Sequence, residues 1–103
     1  MEIKYNLKNY SQCEAYNKID LFLDGLVSQY KNMISNPKKK WNDEKDYMDF
    51  GFEAMGFNIK GDIKLQGKEL ILNGRLPLLA RVYSGRIEKI IKGKLEELLP
   101  KRD

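Results

Sequence analysis

Three consecutive alternating segments in the second half of the chain constrain its fold more than any other feature. Residues 45–55, 57–66 and 69–76 each alternate apolar and polar side chains, as half-buried strands do. The connections Met55-Gly56 and Gly67-Lys68 are short and contain glycine, which is typical of tight hairpins. The sequence therefore predicts three adjacent antiparallel strands with one apolar face that must be covered.

Two amphipathic helices are predicted to cover that face. Residues 12–33 carry apolar side chains at helical spacing, and Ser11 followed by Glu14 has the pattern of a capping box. Residues 78–99 repeat apolar side chains in the same way, directly after Pro77, which suits the first turn of a helix. We expect each helix to turn its apolar stripe towards the sheet.

The predicted order is strand, helix, three strands, helix, with the first strand at residues 2–8. A chain of 103 residues fits one domain, so we predict a single α+β domain over residues 1–103. Its antiparallel sheet has one face covered by two helices and the other face in water. Residues 35–40, SNPKKK, are interpreted as a loop because Pro37 cannot continue a helix.

The composition narrows the functions that this chain can perform. It contains no histidine, which removes the commonest general base and metal ligand, so we expect no catalysis, metal or cofactor. Its apolar runs are far shorter than the ~20 residues of a membrane span, and the start has no apolar signal region. The single cysteine, Cys13, fits a reducing compartment, and we expect a cytoplasmic protein without a transmembrane segment.

Several stretches together resemble the polyhydroxyalkanoic acid system protein family, over nearly the whole chain. EAYNKIDLFLDGL is similar to the early helix of that family, and Trp41 falls where the family often has tryptophan. GFNIKGDIKLQGKELILNGRLP is similar to its glycine-punctuated strands and leucine-rich corner. YSGRIEKIIKGKLEELL is similar to its closing helix, with Gly85, Ile87 and Glu88 matching a G-x-I-E pattern.

Members of that family are small bacterial proteins whose genes often neighbour those of polyester-storage metabolism. The resemblance implies association with storage granules or with their hydrophobic cargo. It implies no catalytic residues. The chain departs from the family in one respect, because members often carry a histidine shortly before the first helix and this chain has none.

The stretch RLPLLARVYSGR, residues 75–86, has two interpretations. In one, the apolar run inserts into a lipid or polyester surface while Arg75, Arg81 and Arg86 meet headgroup charge. In the other, which we favour, Leu76 and Leu79 belong to the core because a small domain needs them to cover its sheet. Ser84-Gly85 interrupts the helical pattern, so we expect a bend or two successive helices there.

Five residues are candidates for a ligand site between the sheet and the last helix. Lys94 falls within the apolar stripe of that helix and Arg86 at its edge, where a cation could reach a carboxylate in a groove. The aromatic candidates are Trp41, Phe52 and Tyr83. The plainer interpretation gives the lysine a stem that lies along the core with its head in water. It makes the aromatic side chains core residues, except Trp41, which follows PKKK and stands at the rim.

The leading functional hypothesis is a non-enzymatic accessory protein that binds a polyester granule, lipid or a hydrophobic small molecule. Two alternatives remain. One is an RNA-binding module, since helix, three strands and helix is the order of double-stranded-RNA-binding domains. The apolar start of the last helix argues against nucleic acid, because those domains have lysines there. The other is a homodimer that uses an exposed strand edge or the outer face of the sheet.

Overall fold

The computed structural model describes residues 1–102. Over these residues the elements are, in chain order, β1 (Glu2–Asn6), α1 (Gln12–Asp20), α2 (Phe22–Gln29), β2 (Ile34–Trp41), β3 (Tyr47–Ala54), β4 (Phe57–Gln66), β5 (Glu69–Arg75), a 3-10 helix (Leu78–Tyr83) and α3 (Ser84–Leu98). The α+β class predicted from the sequence is confirmed. The four predicted strands also start and end within two residues of observed ones.

The strands form one antiparallel sheet in the order β1-β5-β4-β3-β2. The predicted meander is β3, β4 and β5, and β1 joins its far side by pairing with β5. The β3–β4 hairpin closes through Met55 and Gly56, whose φ angles are 52° and 82°. Two central residues with positive φ suit the right-handed twist of the flanking strands, so the glycine-containing connection fixes the register.

The core lies between the inner face of the sheet and the three α-helices. The fully buried side chains of the sheet include Met48 of β3, Ile63 of β4 and Leu72 of β5. These side chains form one apolar cluster with buried residues of the helices, which are Ala15, Ile19, Phe22, Leu23, Leu26, Ile87, Ile91 and Leu95. The outer face carries mostly exposed polar side chains, because successive residues of a strand point to opposite sides.

Strand β2 corrects the interpretation of residues 35–40 as a loop. It lies at the edge of the sheet and pairs with β3 on one side only. Proline lacks an N–H group and is therefore tolerated at an edge, and Pro37 falls inside a register shift between Ser35 and Lys38. Asn36 before it has a φ of 52°. Residues 35–40 are all exposed, so no apolar alternation marks the strand in the sequence.

The first helix begins as predicted but does not run to residue 33. Ser11 caps it with both hydrogen bonds of a capping box, to and from Glu14. At Leu21 the backbone N–H donates to the carbonyl of Lys18, three residues back, and the helix divides into α1 and α2. This tightening turns Leu21 to solvent, at 56% exposure, and keeps the neighbouring Phe22 buried.

The last helix also begins differently from the prediction of one helix over residues 78–99. Pro77 has a ψ of 152° and precedes a 3-10 helix, and the α-helix starts only at Ser84. The expected interruption at Ser84-Gly85 is therefore the junction between two kinds of helix. The assignment of Leu79 to the core is wrong, since its side chain is 76% exposed. Leu76 is half-buried against the core.

Candidate functional site

The most unusual surface of the molecule is the 3-10 helix. Leu78, Leu79 and Val82 are 75%, 76% and 81% exposed, and Tyr83 is 41% exposed. We call these four residues the apolar corner. Single exposed leucines are common on soluble proteins, but large apolar side chains that are exposed together mark interaction sites.

The geometry of a 3-10 helix explains why these side chains point outwards. With three residues per turn, residues i and i+3 share a face. Ala80 and Tyr83 therefore lie on one side, and Ala80 is fully buried. Leu79 and Val82 form a second side, and Leu78 and Arg81 a third. Because only the alanine side packs inwards, the larger apolar residues remain in water.

A cleft of about 520 Å³ opens beside the apolar corner. We call it the arginine cleft, because Arg75 and Arg81 are the basic side chains that line it. Arg75 comes from the end of β5 and Arg81 from the 3-10 helix, so two separate elements supply the charges. The other lining residues are Met1, Gly74, Leu76, Ser84, Gly85 and Glu88.

The two arginines of the cleft differ in their partners. Arg75 donates to the Oδ2 atom of Asp62 at 3.1 Å, and this carboxylate is buried on the outer face of the sheet. Burial, together with the negative charges of Asp62 and Asp49, raises the pKa of the neighbouring Tyr47. Arg81 forms no ion pair within residues 1–102.

The space between the sheet and α3, where a hydrophobic ligand was predicted, is filled by side chains. The gap there is lined by Met33, Ile34, Phe52, Ala54, Met55, Ile87, Ile90 and Ile91. Its volume is about 10 Å³, roughly what one water molecule needs. Phe52 is a core residue, only 4% exposed, and stacks on Phe50.

Trp41 joins the edge strand β2 to helix α1. Its indole nitrogen donates to Oδ1 of Asp20 at 2.9 Å, and its ring meets that of Tyr16 edge-on, with 4.7 Å between ring centroids. Lys39 forms an ion pair with the same carboxylate at 2.9 Å. The hydrogen bonds from Lys39 and Trp41 lower the pKa of Asp20. These contacts hold a helix against the sheet.

The remaining predicted site residues lie in separate environments. Tyr83 packs near Phe57, with 6.1 Å between ring centroids, and belongs to the apolar corner. The guanidinium of Arg86 is exposed and lies 3.9 Å from the sulfur of Met33. Lys94 is only 7% exposed. Trp41, Phe52 and Lys94 thus contact residues of adjacent helices and strands. These three residues do not line the arginine cleft.

Lys94 owes its burial to a glycine on the facing helix. A Cβ atom placed on Gly25 would stand 2.9 Å from Cε of Lys94, so the lysine stem occupies the space that a side chain on α2 would take. The ammonium group ends 3.2 Å from Oε2 of Glu97, which is largely exposed. The stem therefore packs against α2, and the ammonium group ends beside a carboxylate that reaches the surface.

Two further observations bear on the kind of site. No helix in the described part of the chain is long and apolar enough to cross a membrane. Residues 1–102 also bring together no group of three acidic or cysteine side chains that could hold a metal ion. The apolar corner presents apolar side chains, and the arginine cleft presents two guanidinium groups and the carboxylate of Glu88.

The chain matches no known family model. No curated protein and no solved structure matches it either. The resemblance to the polyhydroxyalkanoic acid system proteins thus stays a prediction from the stretches quoted above. The exposed apolar residues Leu78, Leu79 and Val82 lie in RLPLLARVYSGR, between two of those stretches. The stretch can be identified from the sequence, but only the 3-10 helix, with its three residues per turn, shows which side chains face outwards.

Proposed function

We propose that this chain is a non-enzymatic, cytoplasmic accessory protein that attaches to a lipid or polyester surface through the apolar corner. One observation carries the proposal: Leu78, Leu79 and Val82 are each at least 75% exposed on one short helix. The buried Ala80 holds that helix against the domain. A surface that accepts three neighbouring apolar side chains would remove them from water together.

The strength of such an attachment can be estimated. Fully burying one leucine or valine side chain is worth about 1.5–3 kcal/mol. Inserting three of them to about half depth gives roughly 2–4.5 kcal/mol, which corresponds to a dissociation constant of about 1–20 mM. The apolar corner alone therefore supports reversible contact, and stable attachment requires a second attractive force.

An attachment surface accounts for the structure better than a ligand held inside the domain. The gap below Ile87 and Ile91 has room for about one water molecule, so an acyl chain would have to displace core side chains. The exposed residues of the corner need no such rearrangement. We therefore assign the hydrophobic partner to the outside of the protein.

Pairing through the β2 edge of the sheet is less well supported. Strand β2 carries the exposed Lys38 and Lys40, and the bulge around Pro37 interrupts its ladder. Charges, proline and bulges on an edge strand are devices that oppose strand addition. The lysines of the outer face also lie among carboxylates such as Asp49 and Glu53, which weakens the case for nucleic acid.

Co-sedimentation tests the proposal with polyester particles and with phospholipid vesicles. The variant carries Leu78→Ser, Leu79→Ser and Val82→Ser together, and the matched control is Leu21→Ser, which removes an exposed leucine from the α1–α2 junction. We expect the wild type and the control to pellet with at least one of these surfaces, and the triple variant to stay in solution. Equal pelleting of all three proteins, or of none, would reject the proposal.

A further inference from the structure

The arginine cleft adjoins the apolar corner through the 3-10 helix itself. Leu78 and Arg81 are one turn apart and share a face, so a leucine that enters an apolar layer brings the guanidinium to the boundary of that layer. Long basic side chains favour this arrangement, with the stem in apolar surroundings and the charge at the polar interface. Arg86, exposed at the start of α3, adds positive charge nearby.

The cleft suits an anionic group better than a neutral one. Arg75 and Arg81 line it from different elements, and Ser84 adds a hydroxyl group. A guanidinium group presents several N–H donors in a planar fork that fits phosphate oxygens. The opposing charges are Asp62, which already pairs with Arg75, and Glu88, which lines the cleft and lies 4.0 Å from Lys92.

We infer that the arginine cleft binds the anionic phosphate headgroup of a phospholipid while the apolar corner enters the acyl region beside it. This inference rests on the proposed function and supplies the second attractive force that the corner requires. It also sets a preference: the protein selects anionic over zwitterionic phospholipid surfaces. Each basic residue at such a surface contributes about a fivefold gain in affinity.

The test compares vesicles of phosphatidylcholine alone with vesicles that also contain phosphatidylglycerol. Arg81→Gln should weaken binding to the anionic vesicles about fivefold, and Arg81→Glu about 25-fold, because each unit of charge has a similar effect. The matched control is Lys68→Gln, which removes a charge from the β4–β5 hairpin at the opposite end of β5. It should change binding less than twofold, on the order of a remote surface charge.

A second pair of variants tests the headgroup site through a gain in affinity. Glu88→Gln removes the acidic group from the cleft and should tighten binding to the anionic vesicles, whereas Glu69→Gln, at the distant hairpin, should not. Added salt should weaken wild-type binding and reduce the difference between Arg81→Gln and wild type, because salt screens the charges. Thermal unfolding of each variant confirms that it is folded, as all four substituted residues lie at the surface.

The possible results separate the inference from the proposed function. If the serine triple variant loses binding but Arg81→Gln and Lys68→Gln behave alike on both kinds of vesicle, the headgroup site is rejected and the proposed function stands. If the serine triple variant binds as well as the wild type, the proposed function is rejected, and the inference with it. If the serine triple variant loses binding, and Arg81→Gln binds more weakly than Lys68→Gln on the anionic vesicles only, the proposed function and the inference are both supported.

Discussion

The 3-10 helix Leu78–Tyr83 and the helix α3 that follows it are both rich in apolar residues, yet they use them in opposite ways. In α3, Ile87, Ile91 and Leu95 recur every four residues and are all buried. In the 3-10 helix the two leucines and the valine are exposed. A continuous apolar pattern in the sequence therefore conceals a change from core to surface at Ser84.

The two segments also differ in what they bury besides apolar side chains. Helix α3 buries Lys94 against Gly25, whereas the 3-10 helix buries only Ala80. A charged residue of α3 thus lies inside the helix layer while the leucines of the 3-10 helix lie outside. The contacts of a segment with the sheet and with facing helices decide burial, and residue type alone does not.

Truncation of one residue from each segment gives the largest expected difference. Ile91→Ala should lower the free energy of unfolding by about 3 kcal/mol, because it leaves a cavity in the core. Leu79→Ala should change it by less than about 0.5 kcal/mol, because the side chain is already in water. Urea denaturation of both variants measures the difference. Similar losses in the two variants would mean that the apolar corner is packed against the domain.

The sequence predicted the parts of the fold whose signals are local. Alternation over residues 57–66 is strong because both neighbours of β4 are strands and its inner face is covered. The capping box at Ser11 and the Met55-Gly56 turn fix the geometry of a few adjacent residues, so they too can be recognised from the sequence.

The missed features depend on long-range contacts. Strand β2 has no alternation because its middle residues face water, and it exists only because β3 pairs with it. No glycine or proline marks the division at Leu21 in the sequence, and the residues on both sides of it, Ile19 and Phe22, pack in the core. The stretch that holds the apolar corner can be recognised from the sequence. Counting at 3.6 residues per turn, however, places Leu79 on the same side of the helix as Tyr83. With three residues per turn it falls with Val82.

Lys94 tests whether α3 buries a stem or a charge. Lys94→Ala should cost about 1–2 kcal/mol of unfolding free energy, since the packed stem is lost, whereas Lys94→Met keeps an unbranched stem and should stay within about 0.5 kcal/mol of the wild type. Chemical denaturation at neutral pH compares the two. A large loss in Lys94→Met would instead show that the ion pair with Glu97, at 3.2 Å, stabilises the helix.

Gly25 should show a dependence on the residue that faces it. Alanine is favoured over glycine inside a helix by about 1 kcal/mol. In the wild type, a Cβ at Gly25 would displace the stem of Lys94, so the two effects should nearly cancel in Gly25→Ala. In the Lys94→Ala background the same substitution should stabilise the domain by about 1 kcal/mol. Equal effects in both backgrounds would contradict the packing of α2 against this lysine.

The junction at Ser84 gives the smallest effect and the finest test of the contrast between the two segments. A Cβ atom at Gly93, in the middle of α3, would meet no atom within 4 Å, and Gly93→Ala should raise the free energy of unfolding by about 0.5–1 kcal/mol.

Gly85, at the start of α3, is equally open. Gly85→Ala should therefore also stabilise, by less than Gly93→Ala, because the end of a helix is less constrained than its middle. If Gly85→Ala destabilises instead, the change from 3-10 to α-helical geometry requires glycine at this point. The apolar corner would then be set by the backbone of the junction as well as by the burial of Ala80.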